Sequence, residues 1–320
     1  MAQHFLLSTK ARTLSLAQVL RLSDDEAYSH FKAIRFANNG GEPFCPKCGC
    51  VTVYEFETRK IFKCKGSQSQ FSLTSGTIFA SRKLSLRDIL SAIAIFANGA
   101  KGHSALQLSR DLEVQYKTAF VLAHKLREAM AAGDKGAKVS GEVEIDGMYT
   151  GGYVKPANHK ENRRDRRLAE NQSGKRRVVI VARERQGKTI TFVSETEGAS
   201  VPVLRDRIAA GSTVYADEAS HWDAFHASYA TKRINHSLAY SDGEGCTNMA
   251  ESFFSRLRRA EIGTHHHIAG PYLASYAAEM DWREDNRRMP NGEQYRAIVT
   301  AAAKHPVSRQ WKGYWQRRAA

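Results

Sequence analysis

The sequence lacks the long apolar runs that mark membrane proteins. No apolar stretch reaches the roughly 18 residues that a spanning helix needs. Residues 1–5 have neither the apolar length nor the cleavage site of a signal peptide. Internal repeats and low-complexity tracts are also missing. We therefore expect a cytoplasmic globular protein without a membrane partner, whose 320 residues are enough for two or three domains.

Acidic residues are too few to balance the basic ones. The chain has 33 Asp and Glu against 48 Lys and Arg, which gives a formal net charge of +15. An excess of this size favours a polyanionic partner such as a nucleic acid. The alternative is a ribosome-associated or merely basic protein.

Cysteine is scarce, and four of the five cysteines fall between Cys45 and Cys64. In a reducing compartment, such clustering indicates metal binding rather than disulfides. Cys45, Cys48 and Cys64 have zinc-ribbon spacing, but Ser67 stands where a fourth cysteine ligand would be expected. Cys50 is too close to Cys48 for good geometry. The sequence leaves open both bound zinc and a metal-free module held by its strands and aromatic residues.

Hydrophobic patterning divides the chain into five segments, and the fold class that we predict is α+β multidomain. The segments are an N-terminal helical segment (1–41), a zinc-ribbon-like module (42–80), a three-helix, helix-turn-helix-like unit (83–132), a larger domain (140–290) and a weakly patterned tail (291–320). In the larger domain, strands come first and then alternate with helices, which predicts a mixed sheet flanked by helices. Ser23, with Glu26 three residues later, predicts a helix-capping box. A plain helical spacer is the alternative for residues 83–132.

Three carboxylates occupy positions typical of a metal site. Asp146 lies in an alternating strand-like run, Asp217 ends a second such run, and Glu251 opens a helix-like run. Carboxylate oxygens are the ligands that Mg²⁺ prefers. We therefore expect two Mg²⁺ ions, replaceable by Mn²⁺, about 3.5–4 Å apart, with Asp146 bridging both. Glu144 shares a strand face with Asp146 and is interpreted as a solvated residue, with an auxiliary ligand as the alternative.

Basic side chains in two parts of the chain are candidates for DNA contacts. Arg258 lies two helical turns after Glu251, on the same helix face. In the three-helix unit, the third helix carries Lys117 and Lys125, together with His124 and Arg127. A charged segment of the larger domain contributes Arg163, Arg164, Arg166, Arg167, Lys175, Arg176 and Arg177. Phosphate contacts by such residues give salt-sensitive affinity without sequence preference, whereas the alternative for the charged segment is a solvated loop.

Five motifs, taken together, are more specific than any one of them. They cover residues 144–152, 235–237, 247–254, 263–268 and 282–287. In these motifs the chain resembles the DDE transposases of bacterial insertion sequences, in the ISXO2-like branch (IS1595 type) that carries an N-terminal zinc ribbon. The likeness extends over most of residues 42–290.

The resemblance implies an RNase H-like catalytic domain with Asp146, Asp217 and Glu251 as its acidic triad. It further implies Mg²⁺-dependent strand cleavage and strand transfer on double-stranded DNA, both transposon terminal repeats and target. A homodimer or larger assembly on DNA, associated with the nucleoid, is expected because two ends must be brought together. Asn248, one turn before Glu251, is the alternative third ligand. The rival functions are a domesticated DNA-binding regulator and a structure-selective nuclease without strand transfer.

Overall fold

The computed structural model of the chain describes residues 5–151, 157–165, 168–171, 173–234 and 247–318. These residues fall into two compact units. The first unit combines residues 1–133 with 286–320, and the second consists of residues 134–285. In the described ranges, none of the helices is long and apolar enough to cross a lipid bilayer.

The first unit begins with helices α1 (Leu16–Leu20) and α2 (Asp24–Arg35). Ser23 caps α2, because its hydroxyl accepts from the Glu26 amide at 3.2 Å while its own amide donates to the Glu26 carboxylate at 2.7 Å. This reciprocal pair confirms the predicted capping box. A small antiparallel sheet follows, in the order of its strands β1 (Val53–Phe56), β2 (Ile61–Cys64) and β3 (Gln70–Ser72).

Next along the chain come the helices of the predicted three-helix unit. They are α3 (Leu86–Asn98), α4 (Ala105–Asp111) and α5 (Tyr116–Ala131). Ser85 caps α3 by accepting from the Asp88 amide at 3.0 Å. Nearly every side chain of α3 is buried, so this helix lies inside the unit rather than on its surface.

The second unit is built on a mixed sheet. In the described residues its strands are β4 (Glu142–Thr150), β5 (Arg177–Glu184), β6 (Thr189–Ser194), β7 (Thr213–Asp217) and β8 (Ala230–Ile234). Their order across the sheet is β6-β5-β4-β7-β8. The first three strands pair antiparallel, whereas β7 runs parallel to β4 and β8 parallel to β7. The mixed sheet is therefore as predicted, and β4 lies at its centre.

Helices cover both faces of this sheet. They are α6 (Val201–Arg207), α7 (Asn248–Ala260) and α8 (Leu273–Asp285). Because successive strand residues point to opposite faces, Val143 and Ile145 of β4 join the core on the side of α6, while Met148 joins the core with α7 and α8. Glu144 and Asp146 alternate with the first pair and therefore face the side of α7.

The weakly patterned C-terminal segment is helical. It forms α9 (Asn291–Lys304) and α10 (Tyr314–Arg318). Helix α9 packs against α2, α3 and α5, burying Tyr295, Ile298 and Val299 in the core of the first unit. Much of its buried surface comes from alanine, such as Ala302 and Ala303, and this residue type makes a weak hydrophobic stripe in the sequence.

Candidate metal and nucleic-acid site

The register of two parallel strands brings two of the predicted acids side by side. Strand β4 pairs with β7 from Glu142 opposite Thr213 to Glu144 opposite Tyr215. Asp146 and Asp217 each lie two residues beyond the last pair of this register, and the charge of Asp217 acts on Asp146. Both face the α7 side of the sheet, Asp146 from the middle of β4 and Asp217 from the carboxyl end of β7, the end at which open sheets bind ligands.

Electrostatics connects the third predicted acid to this pair. Glu251 is exposed in the first turn of α7, and its carboxylate lies 3.4 Å from the Thr247 hydroxyl. Burial raises the pKa of Asp146 to about 7, and the negative charges of Asp217, Glu197 and Glu251 push this pKa in the same direction. The amide of Gly147, which donates to Asp146 at 2.7 Å, opposes the shift. The carboxylates thus share one electrostatic environment.

Glu197 is a fourth carboxylate of this group, and sequence reasoning missed it. The residue lies between β6 and α6, with Oε2 3.3 Å from Nε2 of His221. Burial raises the pKa of Glu197 to about 7, followed by the charge of Asp217, while Arg176 acts in the opposite direction. Burial also lowers the pKa of His221. Glu197 occupies a connection without hydrophobic periodicity, which leaves no signal in the sequence.

Glu144 is buried, and its interpretation as a solvated strand residue was wrong. The side chain has no exposed surface. Its Oε2 accepts from the amides of Met249 at 2.7 Å and Ala250 at 3.2 Å, and its Oε1 accepts from Nε of Arg185 at 3.0 Å. Because the start of α7 lies over β4, the strand residue meets the free amides of a helix instead of water.

Arg176 is the predicted DNA contact that the structure relates most directly to the carboxylates. Its guanidinium lies 4.1 Å from the centre of the Tyr149 ring, and its charge acts on Glu197. Arg258 is exposed on α7, as Glu251 is. Of the remaining predicted contacts in this unit, Arg163, Arg164 and Lys175 are exposed, Arg177 is half-buried, and Arg166 and Arg167 lie outside the described residues.

The two predicted DNA contacts on α5 differ in their exposure to solvent. Lys117 is exposed, with its ammonium group 5.3 Å from the Trp315 ring centre, whereas Lys125 is partly buried and burial lowers its pKa. His124 is fully buried and stacks on Trp311 at 4.2 Å. Arg127 is 1% exposed, over the ring of Phe96. His124 and Arg127 therefore belong to the core of the first unit.

The three predicted zinc ligands converge in the first unit. The Sγ atoms of Cys45, Cys48 and Cys64 all lie within 4.8 Å of one another. The hydroxyl of Ser67 lies 3.5 Å from Sγ of Cys45, and the Ser67 amide donates to Sγ of Cys64 at 3.3 Å. Hydrogen bonds from the Ser67 hydroxyl and amide to Cys64 lower the pKa of Cys64 to about 6. Three thiols with an easily formed thiolate are a donor set that suits Zn²⁺.

Two family models match the chain, one within each unit. Residues 138–285 match the ISXO2-like transposase domain, and residues 22–68 match the transposase zinc-ribbon domain. The chain belongs to the ISXO2-like transposases. A Halobacterium salinarum protein, described as an uncharacterized protein in transposable element ISH50, is 25% identical over 294 residues, which are 88% of this chain and 97% of the relative. No solved structure matches the chain.

The match assigns the two clusters to different parts of this transposase. The segment matching the transposase domain contains Asp146, Glu197, Asp217 and Glu251, and the segment matching the zinc ribbon contains the cysteine trio together with Ser67. The motif at residues 235–237 lies outside the described residues.

Proposed function

We propose that this transposase cuts DNA at the ends of its own element and joins them to a target by metal-dependent DDE chemistry. The observation that supports this most directly is the meeting of Asp146 and Asp217 on adjacent parallel strands, with Glu251 acting electrostatically on Asp146. Acids from three distant parts of the chain have no structural reason to share a partly buried site, since their mutual repulsion opposes folding.

The catalytic domain is, in this proposal, RNase H-like. Its central strand β4 carries the first acid, with an antiparallel meander on one side and parallel strands on the other. This order supports the assignment because it puts the second acid on the strand adjacent to the first. The helix that carries the third acid then crosses the same face of the sheet.

Asp146, Asp217 and Glu251 would hold two Mg²⁺ or Mn²⁺ ions. Such ions, when bound, activate the attacking hydroxyl and neutralise charge on the reacting phosphate. The carboxylate oxygens present fit these hard cations. Arg176 and Arg258 would bind the flanking phosphates, because a guanidinium group can donate two parallel hydrogen bonds to one phosphate. Asp146, which burial keeps partly protonated near pH 7, would lose its proton when a cation binds.

The first unit would recognise DNA rather than cut it. The cysteine trio would bind zinc and so stabilise the ribbon, in which the short strands alone bury little surface. Exposed Lys117 would contribute to DNA affinity from α5. Because two transposon ends must be held together for joining, we also propose a dimer or larger assembly on DNA.

The test uses the element's own terminal sequences with Mg²⁺. We expect Asp146→Asn, Asp217→Asn and Glu251→Gln to lose cleavage by at least about 100-fold while binding the ends as wild type does. Glu195→Gln, which removes an exposed carboxylate two residues from Glu197, is the matched control and should cut normally. Normal cleavage by all three acid variants would overturn the proposal.

Two further arms separate the alternatives. Pre-cut ends offered with a target plasmid should be joined, whereas a nuclease without strand transfer would leave them free. A regulator would bind the ends and cut none of them. If Asn248→Ala abolishes cleavage and Glu251→Gln does not, Asn248 is the third ligand.

A further inference from the structure

The N-terminus of helix α7 is capped by the carboxylate of Glu144, a residue of the central strand β4. The helix has 13 residues, and its N-cap residue Thr247 makes no side-chain capping hydrogen bond. Instead, Oε2 of Glu144 accepts from the amides of Met249 and Ala250. These are the second and third residues of the helix, whose amides a capping side chain normally satisfies. Glu144 thus supplies the cap from a position 105 residues away in the chain.

Arg183 in strand β5 and Arg185, directly after the end of β5, secure this contact. Nε of Arg185 donates to Glu144 at 3.0 Å, and the Arg185 guanidinium lies 3.8 Å from the centre of the Tyr215 ring. Nη1 of Arg183 donates to the carbonyl of Met249 at 3.1 Å. The first turn of α7 is therefore held to the sheet through both its amides and a carbonyl. A buried carboxylate with this many charge-assisted partners tolerates little displacement.

The placement of Glu144 on β4 relates this anchor to the acids. Glu144 and Asp146 are two residues apart on one face of one strand, while Met249 and Ala250 directly precede Glu251. A single stretch of central strand thus carries one acid of the triad and the attachment point of another. Central strands are rigid because they pair on both sides, as β4 does with β5 and β7.

We propose that Glu144 is a positioning residue, which fixes Glu251 relative to Asp146 by capping α7. This role rests on the proposed function, in which Glu251 is a ligand of the catalytic cations. Glu144 does not itself bind a cation, since both of its oxygens accept from protein donors.

The experiment measures Mn²⁺ binding to the full-length protein without DNA, by calorimetry or by electron paramagnetic resonance of free Mn²⁺. Glu144→Ala should weaken binding by about 10–100-fold, the usual effect of removing a group that orients a ligand. Glu144→Gln keeps one acceptor oxygen for the helix amides and should recover part of the affinity. Glu279→Ala is the matched control, because Glu279 is also a buried glutamate paired with an arginine, Arg283, but lies on α8.

Hydrogen exchange provides a readout that needs neither metal nor activity. The peptide covering residues 247–254 should exchange faster in Glu144→Ala than in wild type, and at an unchanged rate in Glu279→Ala. Equal losses of Mn²⁺ affinity in Glu144→Ala and Glu279→Ala would overturn the positioning role, because general destabilisation would then explain them. So would unchanged affinity in Glu144→Ala.

A Glu251→Ala variant distinguishes failure of the positioning role from failure of the proposed function. If Glu251→Ala weakens Mn²⁺ binding and Glu144→Ala does not, only the positioning role is wrong. If Glu251→Ala binds Mn²⁺ as wild type does, Glu251 is no ligand, and the proposed triad and the positioning role both fall.

Discussion

The carboxylate of Glu197 lies directly against the α-carbon of Gly147. A β-carbon on Gly147 would sit 2.3 Å from Oε1 and 2.8 Å from Cδ of Glu197, both closer than real contacts allow. The missing side chain at residue 147 therefore leaves the space beside β4 that the carboxylate of Glu197 occupies. Glycine is used here for close approach rather than for an unusual backbone angle.

Gly147→Ala should displace Glu197 and change the carboxylate site. If Glu197 supports cation binding, we expect this variant to weaken Mn²⁺ binding by about tenfold, as for other changes beside a metal ligand. The double variant Gly147→Ala, Glu197→Gln should be little worse than either single change, because each removes the same arrangement. Gly263→Ala, where a β-carbon meets nothing within 4 Å, serves as the control. Full additivity in calorimetric titrations would contradict this account.

The raised pKa values predict how stability depends on pH. Asp146 and Glu197 have pKa values of about 7 in the folded protein, above the ordinary carboxyl range. Between about pH 4 and 7 the folded state therefore holds protons that the unfolded chain has released, and the free energy of unfolding falls as pH rises.

Asp146→Asn removes one of the two carboxyl groups whose ionisation destabilises the folded protein above about pH 7. In metal-free buffer it should raise the free energy of unfolding at pH 8 by about 1–2 kcal/mol, or a few degrees in Tm, and change it little near pH 4. Thermal denaturation at both pH values measures the difference. A gain that is larger at the lower pH would show that the side chain is not desolvated as the structure indicates.

The same protons should compete with cations. Mn²⁺ affinity is expected to rise between pH 6 and 8, by up to about tenfold per pH unit for each proton that binding releases. Glu197→Gln removes one of the two competing groups and should flatten this rise. Equal pH profiles for the variant and wild type would show that Glu197 does not titrate with the site.

The cysteine trio predicts which substitutions change zinc binding. Cys64→Ser should lose zinc and destabilise the first unit, because it removes a thiolate from the centre of the cluster. Ser67→Cys should increase zinc affinity by tenfold or more, since Ser67 already lies 3.5 Å from Cys45 and sulfur is the better zinc donor. Metal analysis and competition with a chelator measure both. Cys50→Ser should keep its zinc; loss of zinc there would make Cys50 the fourth ligand.

Replacing Arg176 should change the salt dependence of DNA binding measurably. Arg176→Ala should weaken binding to all sequences alike and reduce the slope of log affinity against log salt by about one. Arg12→Ala, an exposed arginine of the first unit, is the control. A loss restricted to the element's own ends would instead mean that Arg176 reads sequence.

The sequence by itself determined the features that depend on neighbouring residues. Strand alternation around Asp146, the capping box of Ser23 and Glu26, and the spacing of the cysteines are all local patterns, and the structure has each of them. Family motifs added the identity, because a set of short motifs is specific even when each one is weak. These signals need no knowledge of what packs against what.

Only the tertiary structure decided the role of residues whose partners are distant. From the sequence, Glu144 is predicted to be a solvated strand residue. In the structure it is buried under the start of α7, which comes more than 100 residues later in the chain. Glu197 lies close to the other acids because the connection that carries it packs against Gly147. His124 is buried because Trp311 stacks on it. Burial, charge coupling and capping across elements are properties of the assembled core, in which each group's environment is set by segments that its own local sequence does not contain.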